Sequence, residues 1–393
     1  MPTPWWIRDG LEVRDGRMTF ADQDVEELAR AHGTPLYVYD GSRMETNLRR
    51  LRRALDDAGV LHHLLYALKC NRHPDIVASM HRTGVGVDVC SPNEMDMALA
   101  AGWSAPEISY TGTSLSGRDL ERILAHPVVL NLDSLSAIRR VGERAAGRTI
   151  GLRLNPGVGA YSTRTTAAGS WPSKFGIYPE QVEEALTIAR RHQLQVQGLH
   201  FHIGSGWLQD MLGDFRQAVQ VVSDVAARLT DLEYINVGGG IGVPLLASSV
   251  PVDLDTYAAL IAESFGALGV TVMCEPGDFL ARDAGLFLVE VVGVDERRGT
   301  KFVGVDGGYN ACGIPYLYRE PQEIVVCRAA DAAATETYTV AGHINEARDV
   351  FADDARLPEV HESDILALLN VGGYGAELAT IHCARPHAER LVL

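Results

Sequence analysis

The chain has 393 residues and a formal net charge of -16, from 35 lysines and arginines against 51 aspartates and glutamates. That balance argues against a nucleic-acid or anionic-membrane partner, and no basic run of useful length appears. No apolar stretch approaches a membrane span, and the start, MPTPWWIRDG, has neither the basic region nor the apolar run of a signal peptide, so a cytoplasmic protein is expected.

The length suits two domains or one barrel with an appendage. The six cysteines, Cys70, Cys90, Cys274, Cys312, Cys327 and Cys383, lack CxxC or His/Cys ligand spacing and read as reduced thiols with no structural zinc site.

In chain order, an opening segment with Trp5 and Trp6 leads to a helix-like piece, DVEELARAHG, stopped by Gly33, and then to a strand-like run, TPLYVYD. The segment SRMETNLRRLRRALDDAG sets Leu48, Leu51 and Leu55 on one face and predicts an amphipathic helix. From there short apolar runs alternate with helical segments: HLLYA, VGVDVC, EISYTG, VVLNL, IGLRL, VQGLHFHI, EYINVGG and VTVMCE. Eight such runs point to an α/β fold, a parallel (β/α)8 TIM barrel, with an open doubly wound sheet as the rival. The count of eight, and the lack of a GxGxxG turn after the first run, favour the barrel. After Gly285 the pattern turns to alternating runs such as LFLVEVVGV, KFVGVDGG and TYTVAGHI, which predict an antiparallel β domain. The expected division is therefore 1–36 as a segment adding to the β domain, 37–285 as the barrel, and 286–393 as the C-terminal β domain.

In a barrel, chemistry gathers at the C-terminal ends of the strands, where the loops that build the site emerge. Candidate residues fall there: Lys69 after the first run, Asp88 in the second, His200 and His202 in the sixth, Gly238 to Gly240 after the seventh and Glu275 after the eighth. A strand-end lysine is ordinarily one that snorkels to solvent; in a partly dry pocket it is an amine able to form an imine with a carbonyl compound. Glycines after a parallel strand allow backbone N–H groups close to a phosphate, although a tight turn uses the same triplet. Gly204-Ser205-Gly206 offers a second set of donors. His200 and His202 share one strand face, which suits a metal pair or, for His202, a flat ring stacked on an aromatic cofactor. A carboxylate at Glu275 is solvated or salt-bridged in the ordinary case, and beside a heterocycle it would keep a ring nitrogen protonated. Imine lysine, phosphate cradle, stacking ring and ring-nitrogen carboxylate together describe a site for pyridoxal 5'-phosphate.

The ordered motifs GTPLYVYD, YALKCN, GVDVCSPNE, SKFGI, HFHIGSG, VGGGIG, CEPG, VDGGYN, LPEV and GGYG cover almost the whole chain. On them the chain resembles the fold-type III pyridoxal-phosphate decarboxylases, whose barrel is of the alanine racemase kind, and most closely the diaminopimelate decarboxylase branch with its ornithine decarboxylase-like members. The resemblance implies Lys69 as the imine-forming lysine, His202 stacked on the cofactor ring, and Glu275 at the ring nitrogen. It implies Ser205, Gly239, Gly240, Gly277 and Tyr374 around the phosphate, and Asp88 as the acid near Lys69. It also implies a homodimer whose sites are completed by the partner's β domain. An acid at Glu275 favours decarboxylation, since the related alanine racemases use arginine there.

Three departures bear on the substrate. Asp278 stands where the resembled branch has an arginine after CEPG, and Ile314 stands where a second arginine precedes the later proline, while Tyr318 is kept. Losing one cation and reversing another disfavours a distal carboxylate, so diaminopimelate is not the expected substrate. Asn345 replaces the cysteine of the family's GPxCE pattern, and an amide cannot deliver a proton as a thiol can. Glu346, which resembles the acid that binds a distal amino group, remains, and His343, Lys69 or water is left to return the proton. The expected activity is decarboxylation of an amino acid with a distal cationic or polar group in specialised biosynthesis. A racemase or epimerase and a non-catalytic binding protein of the same fold are the alternatives.

Overall fold

The computed structural model describes residues 3–160, 168–169 and 172–393. They form two compact units, one of Asn47–Gly242 and Val250–Phe279, the other of Met1–Thr46, Val243–Ser249 and Leu280–Leu393. No helix among the described residues is long and apolar enough to cross a membrane.

The strands run as β1 (Leu11–Arg14), β2 (Arg17–Phe20), β3 (Gln23–Asp24) and β4 (Leu36–Tyr39), followed by β5 (His62–Ala67), β6 (Gly86–Val89), β7 (Ile108–Thr111) and β8 (Val129–Leu132). Next come β9 (Thr149–Leu154), β10 (Gln195–Phe201), β11 (Tyr234–Asn236), β12 (Thr271–Cys274) and β13 (Gly285–Arg297). The last are β14 (Thr300–Val305), β15 (Ile324–Val326), β16 (Glu336–Ala341), β17 (Val350–Leu357), β18 (Ile365–Leu368) and β19 (Glu389–Val392).

Strands β5 to β12 close an all-parallel barrel, and they are the eight runs read from the sequence. Their residues are buried on both faces because helices cover the outside, so continuous rather than alternating apolar runs mark them. The helices begin on local signals: Ser91 Oγ accepts from Glu94 N ahead of Pro92, and Ser116 and Asp119 cap each other reciprocally. Inside the barrel the Tyr234 ring takes the space left by two glycines. A Cβ on Gly198 would sit 1.9 Å from its Cζ, and one on Gly151 would sit 2.2 Å from its hydroxyl oxygen. The phenol is kept from being an orphan by donating to Asn131 Oδ1 at 2.8 Å.

The other unit is built on a mixed eight-stranded sheet in the order β15-β18-β13-β14-β16-β17, with β4 pairing β13 and β19. Most pairings are antiparallel, as expected, but β14–β16 and β19–β4 are parallel. The long connection through β15 allows the first of these, and the second joins strands from the two ends of the chain. The expected boundary at residue 37 runs through β4, which hydrogen-bonds along β13 and therefore lies in this unit; Gly285 is the first residue of β13. The opening segment packs here too, with Trp6, Leu11, Met18, Phe20 and Leu28 in one apolar core with Leu286, Leu288 and Ala367. Asn370 Nδ2 donates to Pro244 O at 3.2 Å, which ties in the short segment 243–249.

Candidate active site

Strand β5 stops at Ala67, and a single 3-10 turn, Leu68–Cys70, carries Lys69. Tyr66 fixes the exit of this turn by donating its hydroxyl to Asn71 O at 2.7 Å. Lys69 Nζ lies 2.5 Å from Asp88 Oδ2 on the neighbouring strand β6. Asp88 is fully buried, and its Oδ1 has no hydrogen-bond partner among the described residues. Burial, with Glu275 adding to it, pushes the Asp88 carboxyl up, against the pull of Lys69.

Glu275 follows β12 directly. Its Oε1 accepts from Asn236 Nδ2 at 2.7 Å and its Oε2 lies 3.3 Å from His200 Nε2. Burial alone would raise this carboxyl, but His200, Lys69 and His202 outweigh it and hold the group well below the usual carboxylate range. Burial lowers His200 as well, so the ring is neutral at neutral pH. A neutral imidazole beside a carboxylate places its proton on Nε2, which leaves the buried Nδ1, without a partner among the described residues, unprotonated. The His200–His202 pair thus splits its tasks, one ring on the carboxylate and the other on the glycine loop.

His202 sits one residue past β10, and its Nδ1 accepts from Gly239 N at 3.3 Å. Burial, reinforced by Arg153, lowers it to about 3, so this ring too is neutral. Two glycine loops meet beside it. Trp207 N donates to Gly240 O at 3.1 Å and Gly242 N donates to Trp207 O at 2.9 Å, zipping Gly204–Gly206 to Gly238–Gly240. A Cβ on Gly239 would come within 2.0 Å of Glu275 O, and on Gly240, where φ is +96, within 1.8 Å of Gly204 O. Ser205 is half-buried in this loop, and the buried Trp207 Nε1 has no partner among the described residues. Gly277, after β12, would bring a Cβ to 3.0 Å from Ala67 Cβ, on the strand that leads to Lys69. A glycine cradle, a lysine paired with an acid, a neutral ring and an ionised carboxylate fit a phosphorylated pyridine aldehyde.

The sequence reading did not single out Arg153 or Asn236. Arg153 is buried at the end of β9 with its guanidinium 4.6 Å above the Phe175 ring, and Asn236 at the end of β11 orients Glu275. A cation and an amide at the ends of apolar barrel runs were the available signal.

Asp278, in the barrel unit, is buried at the start of the short helix Asp278–Ala281. The remaining candidates belong to the sheet unit. Ile314 is fully buried in the helix Ile314–Tyr318, and Tyr318 meets Tyr374 edge-on at 6.4 Å. His343 is half-buried with Nε2 3.1 Å from Asn310 Oδ1, and burial lowers its pKa. Asn345 and Glu346 are exposed, and Glu346 Oε1 lies 3.3 Å from His382 Nε2.

A family model described as the pyridoxal-binding domain of pyridoxal-dependent decarboxylases matches residues 42–282. A diaminopimelate decarboxylase of Methanothermobacter thermautotrophicus is 35% identical over 97% of this chain and 92% of its own length. Diaminopimelate decarboxylase from Helicobacter pylori, solved with L-lysine, superposes with a TM-score of 0.85 at 28% identity, covering 94% of each chain. A lysine decarboxylase of Selenomonas ruminantium, at 23% identity and a TM-score of 0.83 over 96% of this chain, shares the fold.

Barrel and site together define a pyridoxal-phosphate enzyme. The chain belongs to the pyridoxal-dependent decarboxylases of fold type III, and its activity is that of a carboxy-lyase acting on an amino acid.

Proposed function

We propose that this enzyme decarboxylates an α-amino acid whose distal group is cationic or neutral and polar, and that diaminopimelate is not its substrate. The observation that carries the reading is the pair Asp278 and Ile314: a buried acid and a fully buried apolar side chain stand where the resembled branch has arginines. A distal carboxylate would meet a like charge and no bidentate donor.

In this reading Lys69 binds the cofactor aldehyde, Ser205, Gly239, Gly240, Gly277 and Tyr374 hold its phosphate, and His202 covers its ring. Bound pyridoxal phosphate supplies the electron sink for the electrons left when the carboxylate departs. Glu275, kept ionised by His200 and Asn236, holds the ring-nitrogen proton and so keeps that sink open. Lys69, freed when the substrate amine takes its place and with Asp88 2.5 Å away, would return a proton at the substrate α-carbon, the task that Asn345 cannot perform. Tyr318 and Glu346 serve the distal end of the substrate. A cytoplasmic homodimer, in which the partner's sheet unit completes each site, belongs to the same proposal.

The test is mass spectrometry of the cofactor-loaded enzyme incubated in heavy water with ornithine, lysine, arginine, diaminobutyrate, glutamine, citrulline and diaminopimelate. An amine with one deuterium at the former α-carbon identifies the substrate class. Deuterium in an intact, scrambled amino acid would replace the reading with a racemase, and preferential turnover of diaminopimelate would overturn the role given to Asp278 and Ile314.

A further inference from the structure

We propose that the N-terminal end of the barrel, the end away from Lys69, is a second ligand site that takes a small carboxylate with an apolar body and binds its charge at Arg148. The inference does not depend on the identity of the amino-acid substrate.

A cavity of about 770 Å³ opens at this end, lined from β5, β8, β9, β11 and β12 and from the turns that lead into them. That is the size of a small-molecule site rather than of a trapped water. Val129, Leu130, Ile150 and Met273 give it an apolar wall, and Leu61 in the lining is 64% exposed. Tyr234 lines it too, with its ring in the space left by Gly151 and Gly198 and its hydroxyl spent on Asn131. The same strands run on to the other end of the barrel. Asn236, two residues past Tyr234, holds Glu275, and Glu275 itself comes two residues past Met273. A parallel barrel therefore keeps this cavity and the catalytic groups at opposite ends.

Arg148 precedes β9 and is half-buried in the lining. Its Nη2 donates to His126 O at 2.7 Å and to Val128 O at 3.1 Å, which fixes the guanidinium and leaves the N–H groups of Nε and Nη1 to meet a ligand. No carboxylate pairs with it among the described residues, and burial lowers its pKa with no neighbouring acid to offset the effect. A half-buried cation without a counter-charge is costly, and an anion that joins it there makes charge-assisted hydrogen bonds in a partly dry setting.

The rest of the lining selects the ligand class. An ammonium would meet the like charge of Arg148, and a wholly apolar molecule would cover the cation without pairing it. Glu233, the acid of the lining, is exposed two strands away, and its Oε1 already accepts from Gln197 Nε2 at 2.8 Å. Burial lowers the His63 pKa, so this ring adds a neutral polar group rather than a second charge. A carboxylate on Arg148 with its body along Val129, Leu130 and Met273 uses what the cavity offers.

The experiment is calorimetry on the cofactor-loaded enzyme with octanoate and phenylbutyrate, set against octanol and phenylbutanol, which keep the apolar body and lose the charge. Arg148→Met removes the cation at similar length, Arg148→Lys keeps a cation, and Thr149→Phe narrows the cavity where β9 begins. The expected result is one carboxylate per chain, bound about tenfold or more tightly than its alcohol, with the cofactor absorbance unchanged. Arg148→Met and Thr149→Phe should each raise the Kd of the carboxylates about tenfold or more, and Arg148→Lys should keep part of the preference for acid over alcohol. Arg148→Met should leave the alcohols as they were. Equal affinity for acid and alcohol, no binding of either acid, or binding unchanged in Arg148→Met overturns the site. A shifted cofactor band overturns it too, since the probe would then be in the active site. Should Arg148→Met fail to fold, the comparison of acid with alcohol and the Thr149→Phe variant decide by the same criteria.

Discussion

Glu275 and His200 are 75 residues apart in the chain and meet at 3.3 Å, with the imidazole donating Nε2–H to a carboxylate that Asn236 holds from its other oxygen. The pair is buried, so the ionised form of Glu275 depends on these two donors rather than on water. Replacing His200 by leucine removes one donor while burial keeps working against the charge. The titration of Glu275 should rise by about a pH unit or more. In pH profiles of kcat/KM, the acid limb of His200→Leu is therefore expected to move upward by about a unit or more, with little loss at neutral pH, where Glu275 stays ionised. An acid limb at the wild-type position would show that His200 does not govern this carboxylate.

Stability should fall as the medium is acidified, for two reasons of the same sign. Burial lowers the pKa of His200 and takes His202 from 6.5 to about 3, so below pH 6.5 the unfolded chain binds protons that the folded chain does not. Each such group costs up to about 1.4 kcal/mol per pH unit in that window. Glu275 is depressed from 4.5 to about 2, so its contribution is present above pH 4.5 and is lost as the pH falls through the window between those values. Urea unfolding of the cofactor-free protein at pH 7, 6 and 5 should show the slope, and His202→Asn should flatten it. An unchanged slope in the variant would place the proton uptake elsewhere.

Cofactor affinity should be sensitive to a single methyl group. In Gly239→Ala the added carbon would stand 2.0 Å from Glu275 O, and the loop must move. A weakening of pyridoxal phosphate binding by about tenfold or more is expected in fluorescence titrations, since the glycine loop proposed to hold the phosphate moves with this backbone. Gly213→Ala, where a Cβ meets nothing within 4 Å, is the control and should bind as wild type does. Equal affinities for all three proteins would remove Gly239 from the cradle.

In the sheet unit, Arg282 and Glu320 form a buried ion pair, with the side chains only 3% and 2% exposed, and Arg282 Nε also donates to Asn370 O at 2.9 Å. Glu320→Ala removes the buried carboxylate facing this guanidinium and should cost roughly 3 kcal/mol in chemical denaturation. A loss below about 1 kcal/mol would mean that solvent reaches the arginine once its partner is gone.

His343 already uses Nε2 in the frame around Asn310, and burial favours its neutral form. His343→Gln, which can keep a hydrogen bond to Asn310, should leave kcat within about threefold of wild type. A fall of a hundredfold with stability preserved would restore this side chain as the proton donor.

Much of the fold can be read from local pattern. Each barrel strand is a short apolar run flanked by helix signals, so period and length mark it without knowledge of its neighbours, and Lys69, Gly239 and Glu275 stand out as polar or glycine residues at run ends. The run Leu36–Tyr39 shows the limit of that logic. Its pattern fits either a barrel or a sheet strand, and only its pairing with β13, some 250 residues away, assigns it. Parallel pairing within the sheet was hidden for the same reason, because alternation reports which face is buried and not the direction of the next strand.

What the sequence determined by itself was the set of elements and the chemical types at their ends, because backbone periodicity and residue type are local properties. Tertiary structure decided which of those types meet. His200 and His202 have the same spacing whether they bind a metal or divide between a carboxylate and a glycine loop, and barrel closure, by setting Glu275 and Gly239 against them, chooses the second. Arg153 and Asn236 gain their place only there, since an arginine or an asparagine in an apolar run has no assignable partner until the strands beside it are known.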